Sequence, residues 1–251
     1  MTTRLFGSGI RRREDPRLIT GQSTYTDDIK LTGMIHAAIL RSPHAHARIT
    51  SIDTSAAQGA PGVLGVYTGA DTDGVLNPIP CAWVVPDSDV KTVAHPAMAK
   101  DIVRYVGDAV AVVVAENRYQ AEDALELINV VYSPLPAVVN PEEALQVGAP
   151  QLHEDAPNNQ AFHWAIPGEG TDAAFEAAEV VVKDRIRQQK LIPNAIEPRS
   201  AVASWQSANK ELTLWSTSQN PHIARFLTCL VTGLTENKVR VIAPEVGGGF
   251  G

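Results

Sequence analysis

Leu212-Thr-Leu-Trp-Ser216-Thr-Ser-Gln-Asn-Pro221 and Val239-Arg-Val-Ile-Ala-Pro-Glu-Val-Gly-Gly-Gly-Phe-Gly251 are the stretches whose reading decides the fold. Residues 212–216 and 239–243 are short runs rich in β-branched and large apolar side chains, the pattern of strands. Between them Pro221 suits the first position of a helix, where a missing N–H costs nothing. The helix is predicted to run to about Val231, with Gly233 ending it. Strand, helix and strand of these lengths predict a parallel pair with a right-handed crossover. In such a pair both loops leaving the carboxyl ends lie on one edge of the sheet. Gln219 and the glycine run therefore face one crevice, the place where open α/β sheets bind ligands.

Glycines there have a physical task. Lacking Cβ atoms, they allow positive φ and close approach of the backbone to a ligand. Successive N–H groups then form a concavity for a phosphate or oxo group, and the Gln219 amide can donate to an acceptor in the same crevice. The loop does not read as a Walker A loop, since no Lys-Ser/Thr follows within these residues, and its spacing is not G-x-G-x-x-G. The residues alone point to an anionic or oxo-bearing cofactor. They leave open a non-catalytic phosphate- or nucleotide-binding module and a purely structural scaffold that holds partner subunits.

Working outward, Ala109–Ala115 is a near-continuous apolar run, as expected of a strand buried on both faces. Asn117 can cap a helix over 118–127 whose Ala121, Ala124, Leu125 and Ile128 share a face. A strand at 129–133 follows, so this region also reads as an α/β layer. Strands are expected at 34–41, 48–53 and 63–68, with a short helix over 54–58 behind Asp53. Residues 69–100 read as loop. The prolines at 134, 136, 141, 150 and 157 mark a surface linker with a domain boundary near 150. Beyond it a helix is expected near 171–177, and alternating Glu179–Gln188 reads as a half-exposed strand. Cys229 with Phe226 and Leu230, and Trp205 and Trp215, are expected in the core.

With 251 residues, 44% hydrophobic and 20% charged, the chain can bury one large domain or two ordinary ones. The net charge of -7 argues against nucleic acid or an anionic membrane as partner. Two cysteines make no disulfide framework and no CxxC site. No run of about 18 apolar residues occurs, so no membrane span is expected. Residues 1–20 lack the apolar core of a signal peptide, and a cytoplasmic location is expected.

Ser218-Gln-Asn-Pro-His222 followed by the 239–251 stretch resembles the molybdopterin-binding segment of molybdenum hydroxylases, the xanthine dehydrogenase and aldehyde oxidase family. Arg41-Ser-Pro-His-Ala-His-Ala-Arg-Ile49, Ser51-Ile-Asp53, Pro61-Gly-Val63, Val106–Ala115 and Tyr132-Ser-Pro-Leu-Pro136 resemble its α/β hammerhead domain, and Ile196-Glu197 with Ala201 also fits. Gly170-Thr-Asp-Ala-Ala-Phe175 leans toward the aerobic carbon monoxide dehydrogenase branch. The fold class implied is α+β and α/β. It comprises an N-terminal arm (1–20), a hammerhead domain (21–140), a linker (141–160) and the start of a molybdopterin-binding domain (161–251).

The resemblance implies a molybdopterin cofactor with molybdenum, in the cytosine dinucleotide form. Gln219 would contact a molybdenum oxo ligand, the Phe250 N–H would point at the same oxo, and Gly248, Gly249 and Gly251 would let the loop pass the pterin. No residue would ligate the metal. The reaction implied is oxidation of CO, an aldehyde or a heterocycle with water as oxygen source. Electrons would pass to a 2Fe-2S small subunit and an FAD-binding medium subunit, in a dimer of heterotrimers. The substrate-side loop and the base that the family uses have no counterpart in these residues, so this stretch alone is expected to be inactive. Outside the crevice, His44 and His46 read as packed or surface residues before they read as metal ligands. Arg11–Arg13 read as a solvated arm, and Glu197 as a structural carboxylate before a proton carrier.

Overall fold

The computed structural model describes residues 6–81, 86–166 and 168–250. Two compact units emerge. One comprises Gly33–Leu191 with Leu230–Gly233, and the other comprises the N-terminal residues to Thr32, Ile192–Cys229 and Leu234 onward.

The first unit holds two three-stranded sheets. β1 (His36–Arg41), β2 (Ala47–Asp53), β3 (Val63–Thr68), β4 (Ile102–Val103), β5 (Ala109–Ala115) and β6 (Asn129–Pro134) arrange as β1-β5-β3 and β4-β2-β6, with every pairing antiparallel. The apolar run of β5 has its cause in this order. It is a central strand whose Ala111, Val113 and Ala115 join one core cluster while Val110 joins the other. A strand with no solvated face has no use for polar alternation. The helix Arg118–Leu125 lies on β1 and β5. Ala121 and Ala124 are buried there, and their small size lets the helix approach Ala111 and Ala115. Its start is fixed by the Asn117 side chain, which accepts the Gln120 N–H at 3.0 Å.

Strand, helix and strand over 109–134 do not close a parallel pair. β6 runs instead beside β2, with Ile49 opposite Tyr132 and Ile52 opposite Val130. The helix is two turns long, and the chain leaving it continues directly into the second sheet.

In the other unit β7 (Ala201–Gln206), β8 (Glu211–Ser216) and β9 (Val239–Ile242) form one sheet in that order. β7 pairs antiparallel with β8, and β8 pairs parallel with β9 through the helix Pro221–Thr232. Asn220 caps that helix by accepting the Ile223 N–H at 3.2 Å, and Gly233 follows it with φ +72°.

Several expectations need correction. Glu179–Gln188 is exposed and joins no ladder among the described residues; alternation makes a strand only where a neighbour supplies backbone partners. Trp205 is half exposed, as are Phe226 and Leu230, while Cys229 is buried. Val202, on the opposite face of β7 from Trp205, turns inward instead. The helix 171–177 forms as expected.

Candidate functional site

The site grows from the carboxyl ends of the parallel strands β8 and β9. After β8, Thr217 is held to the start of β7: its N–H donates to the Ser200 carbonyl at 3.2 Å, and its hydroxyl accepts the Ser200 N–H at 3.1 Å. Asn220 N–H donates to Ser218 Oγ at 3.2 Å. Gln219 therefore projects from a turn pinned on both sides. After β9, Ala243–Phe250 carries the glycines.

These two loops meet. A Cβ built on Gly249 would come within 2.5 Å of the Gln219 side chain, so glycine is required for the amide to lie where it does. A Cβ on Gly248 would sit 2.9 Å from both Ala195 Cβ and the Phe250 ring, and Gly248 has φ +130°. At Gly247 the collision is with Glu197. Phe250 has φ +59°, a left-handed conformation uncommon for a bulky residue and concentrated at functional sites. A cavity of about 420 Å³ is lined by Gln219, Gly248 and Gly249 together with Asn194, Glu197 and Arg199. Of the residues expected here, Gln219, Gly248 and Gly249 thus share one cavity, Phe250 follows with its ring against Gly248, and Gly251 lies outside the described residues.

Asn194 and Arg199 escaped the sequence reading. Pro193 directly precedes Asn194 and Pro198 directly precedes Arg199 in a segment without regular structure, and those two prolines were the available signal. Glu197, weighed as structural or proton-carrying, is engaged with backbone. Its carboxylate accepts the Gly247 N–H at 2.6 Å and the Thr26 N–H at 3.4 Å. Glu245, two residues before Gly247, accepts the Thr24 N–H at 3.2 Å and pairs with Arg17. The Arg17 and Thr24 hydrogen bonds hold its carboxyl below the usual carboxylate range.

The histidine pair is used structurally. His46 Nδ1 is 2.7 Å from the Pro136 carbonyl, and the His44 ring packs on Tyr132 with centroids 4.8 Å apart. Among the described residues no group of three or more His, Cys, Asp or Glu is placed to hold a metal. No described helix is long and apolar enough to cross a membrane.

Comparison with known proteins matches both halves of the chain. Residues 20–136 match the aldehyde oxidase and xanthine dehydrogenase a/b hammerhead domain, and residues 152–251 match the molybdopterin cofactor-binding domain. The carbon monoxide dehydrogenase large chain of Afipia carboxidovorans is 43% identical across 99% of this chain and 32% of its own length. The nicotine 6-hydroxylase large subunit of Paenarthrobacter nicotinovorans is 37% identical across 100% of this chain and 30% of its own length. The crystal structure of quinoline 2-oxidoreductase from Pseudomonas putida 86 superposes with a TM-score of 0.84 at 36% identity, covering 98% of this chain and 31% of that one. The chain thus spans about a third of the length of the relatives it matches. Two successive domain matches, alignment over nearly every residue and a shared fold carry one conclusion: the chain belongs to the molybdopterin-binding large-subunit family of molybdenum hydroxylases, the family of xanthine dehydrogenase and aldehyde oxidase.

Proposed function

We propose that this chain is the cofactor-holding N-terminal part of the large subunit of an oxidoreductase that oxidises carbon monoxide, an aldehyde or a heterocycle with water as oxygen source. The observation that carries the reading is the convergence of Gln219, Gly248 and Gly249 on one polar cavity at the carboxyl ends of β8 and β9. The named activities of the relatives, on carbon monoxide, nicotine and quinoline, bracket the substrate class.

The residues fit such a cofactor. A pterin bearing a dinucleotide and an oxo-metal centre presents many oxygen acceptors. This cavity offers an amide at Gln219, an amide at Asn194, a guanidinium at Arg199 and, beside them, the run Gly247–Gly249, where an added Cβ would press on Glu197, Ala195, Phe250 or Gln219. Gln219 would donate to an oxo ligand, and the left-handed turn at Phe250 would orient its backbone N–H toward the same atom. Gly248, Gly249 and Gly251 would carry the backbone past the pterin, here in its cytosine dinucleotide form. Bound molybdenum supplies the two-electron oxidation, as expected where the hard chemistry belongs to a cofactor. The protein fixes the donors in advance, so they need no reorganisation when charge develops on the oxo group.

The two cysteines of this stretch fall short of the four thiolates a 2Fe-2S cluster takes. The same reading, resting on the family resemblance, puts the 2Fe-2S cluster on a small subunit and FAD on a medium subunit, in a cytoplasmic dimer of heterotrimers. The domain boundaries proposed are 1–20, 21–140, 141–160 and 161–251. Residues 1–251 by themselves are not expected to turn over.

The test is molybdenum and pterin content of the assembled complex together with turnover. Wild type should hold both, and Gln219→Ala should lower kcat on the order of 100-fold, as loss of one preorganised donor does. Bound nucleotide without metal would instead indicate a nucleotide-binding module. Unchanged cofactor content and unchanged turnover in Gln219→Ala would remove Gln219 from the site.

A further inference from the structure

We infer that Glu197 is a positioning residue that clamps the glycine loop in its cofactor-ready form, an inference that rests on the cofactor reading of the loop. Its side chain lines the cavity, yet both carboxylate oxygens are committed to backbone. Oε2 accepts the Gly247 N–H at 2.6 Å and Oε1 accepts the Thr26 N–H at 3.4 Å. The Glu197 N–H in turn reaches the Gly247 carbonyl at 3.5 Å, so the two residues are joined in both directions. A Cβ on Gly247 would collide with Glu197, which makes glycine the condition for this approach.

A second fastening lies two residues upstream. The Glu245 N–H donates to the Thr24 carbonyl at 3.2 Å, its carboxylate accepts the Thr24 N–H at 3.2 Å, and Arg17 pairs with that carboxylate. The 24–26 segment and the 245–247 segment are thus stitched side by side, with Glu197 closing the end nearest Gly248 and Gly249. Thr26 itself is fully buried, so the far anchor is set in the packed part of the unit.

Both groups facing the Glu197 carboxylate are donors, and only a carboxylate offers an acceptor to each. A glutamine keeps the shape but brings an NH2 against one of the two N–H groups. Loops without regular structure open locally at low free energy, so losing one charge-assisted bond should show in the loop before it shows in the fold.

The experiment uses the assembled holoenzyme with the complete large subunit. Glu197→Gln is compared with wild type and with Thr26→Val, which keeps the Thr26 N–H and removes a hydroxyl that has no partner among the described residues. The readouts are the rate of pterin and molybdenum loss on dilution, hydrogen exchange of the peptide spanning 244–250, and exchange elsewhere in the chain. Glu197→Gln should lose cofactor roughly tenfold faster and exchange roughly tenfold faster in that peptide, the size expected for one hydrogen bond to a charged group. Thr26→Val should match wild type in release and in exchange of that peptide, and in Glu197→Gln exchange elsewhere in the chain should stay at the wild-type rate. Unchanged release and exchange in Glu197→Gln would overturn the clamp. So would faster release with exchange raised evenly along the chain and not in the 244–250 peptide above the rest, which marks a merely structural role. If wild type binds neither molybdenum nor pterin, the cofactor reading fails separately, and exchange of the 244–250 peptide still decides the clamp.

Discussion

Replacing Gly249 with alanine isolates the contact between the two loops. No positive φ is required at Gly249, so the substitution carries no backbone strain, and the cost is steric. The new methyl would stand within 2.5 Å of Gln219 Cγ, Cδ and Nε2, where ordinary contact begins at 3.4 Å. The obstruction is a side chain on an open turn, so Gln219 can rotate away. Leaving a rotamer well or overpacking locally costs about 1–3 kcal/mol, and rotation into an open cavity belongs at the low end. Global stability should therefore fall by roughly 1 kcal/mol, which moves the melting temperature of a large subunit by no more than about 2–4 °C. The amide, however, must retreat by roughly 1 Å, and a misplacement of that order at a catalytic contact costs on the order of 100-fold in rate. The assay pairs steady-state turnover per bound molybdenum with differential scanning calorimetry of the complex. A variant that melts within a few degrees of wild type while losing about two orders of magnitude in kcat supports the geometry. Turnover per molybdenum unchanged in Gly249→Ala would refute it, because the amide would then not need the space that glycine leaves.

Two further outcomes are expected. Asn117→Ala removes the acceptor of the Gln120 N–H at the start of helix Arg118–Leu125 and should cost about 1 kcal/mol by denaturant unfolding, with cofactor content unchanged; a midpoint equal to wild type would contradict the cap. Glu245 has a folded pKa depressed chiefly by the Arg17 hydrogen bond and then by Thr24. Its stabilisation should be complete above the unfolded carboxylate pKa of about 4.3 and lost as pH falls through the lower folded value. The melting-temperature difference between wild type and Glu245→Gln should thus be constant from pH 7 to about pH 5 and close below about pH 4, where a gap that persists would show the carboxylate charge to be irrelevant.

Local signals were readable wherever one short segment sets its own structure. Asn117, Pro221 and Gly233 mark helix ends because capping and φ restrictions act within a turn. The β8–helix–β9 unit follows from apolar runs and a linker length that only a parallel crossover satisfies. Because a parallel pair puts both carboxyl ends on one edge, the meeting of Gln219 with the glycine loop was legible without any coordinates.

What the tertiary structure alone decided is the choice of partners. The sequence made 109–115 a doubly buried strand, but not one flanked antiparallel by β1 and β3. It made 179–188 alternate, yet alternation is only half of a strand, since the ladder needs backbone groups from elsewhere. The same holds at Glu197. Its two acceptors are filled by N–H groups at 26 and 247, far apart along the chain and invisible to any local pattern. Propensity and capping act over a few residues and are therefore written in the sequence, whereas pairing and burial join distant segments and are settled only when the chain folds.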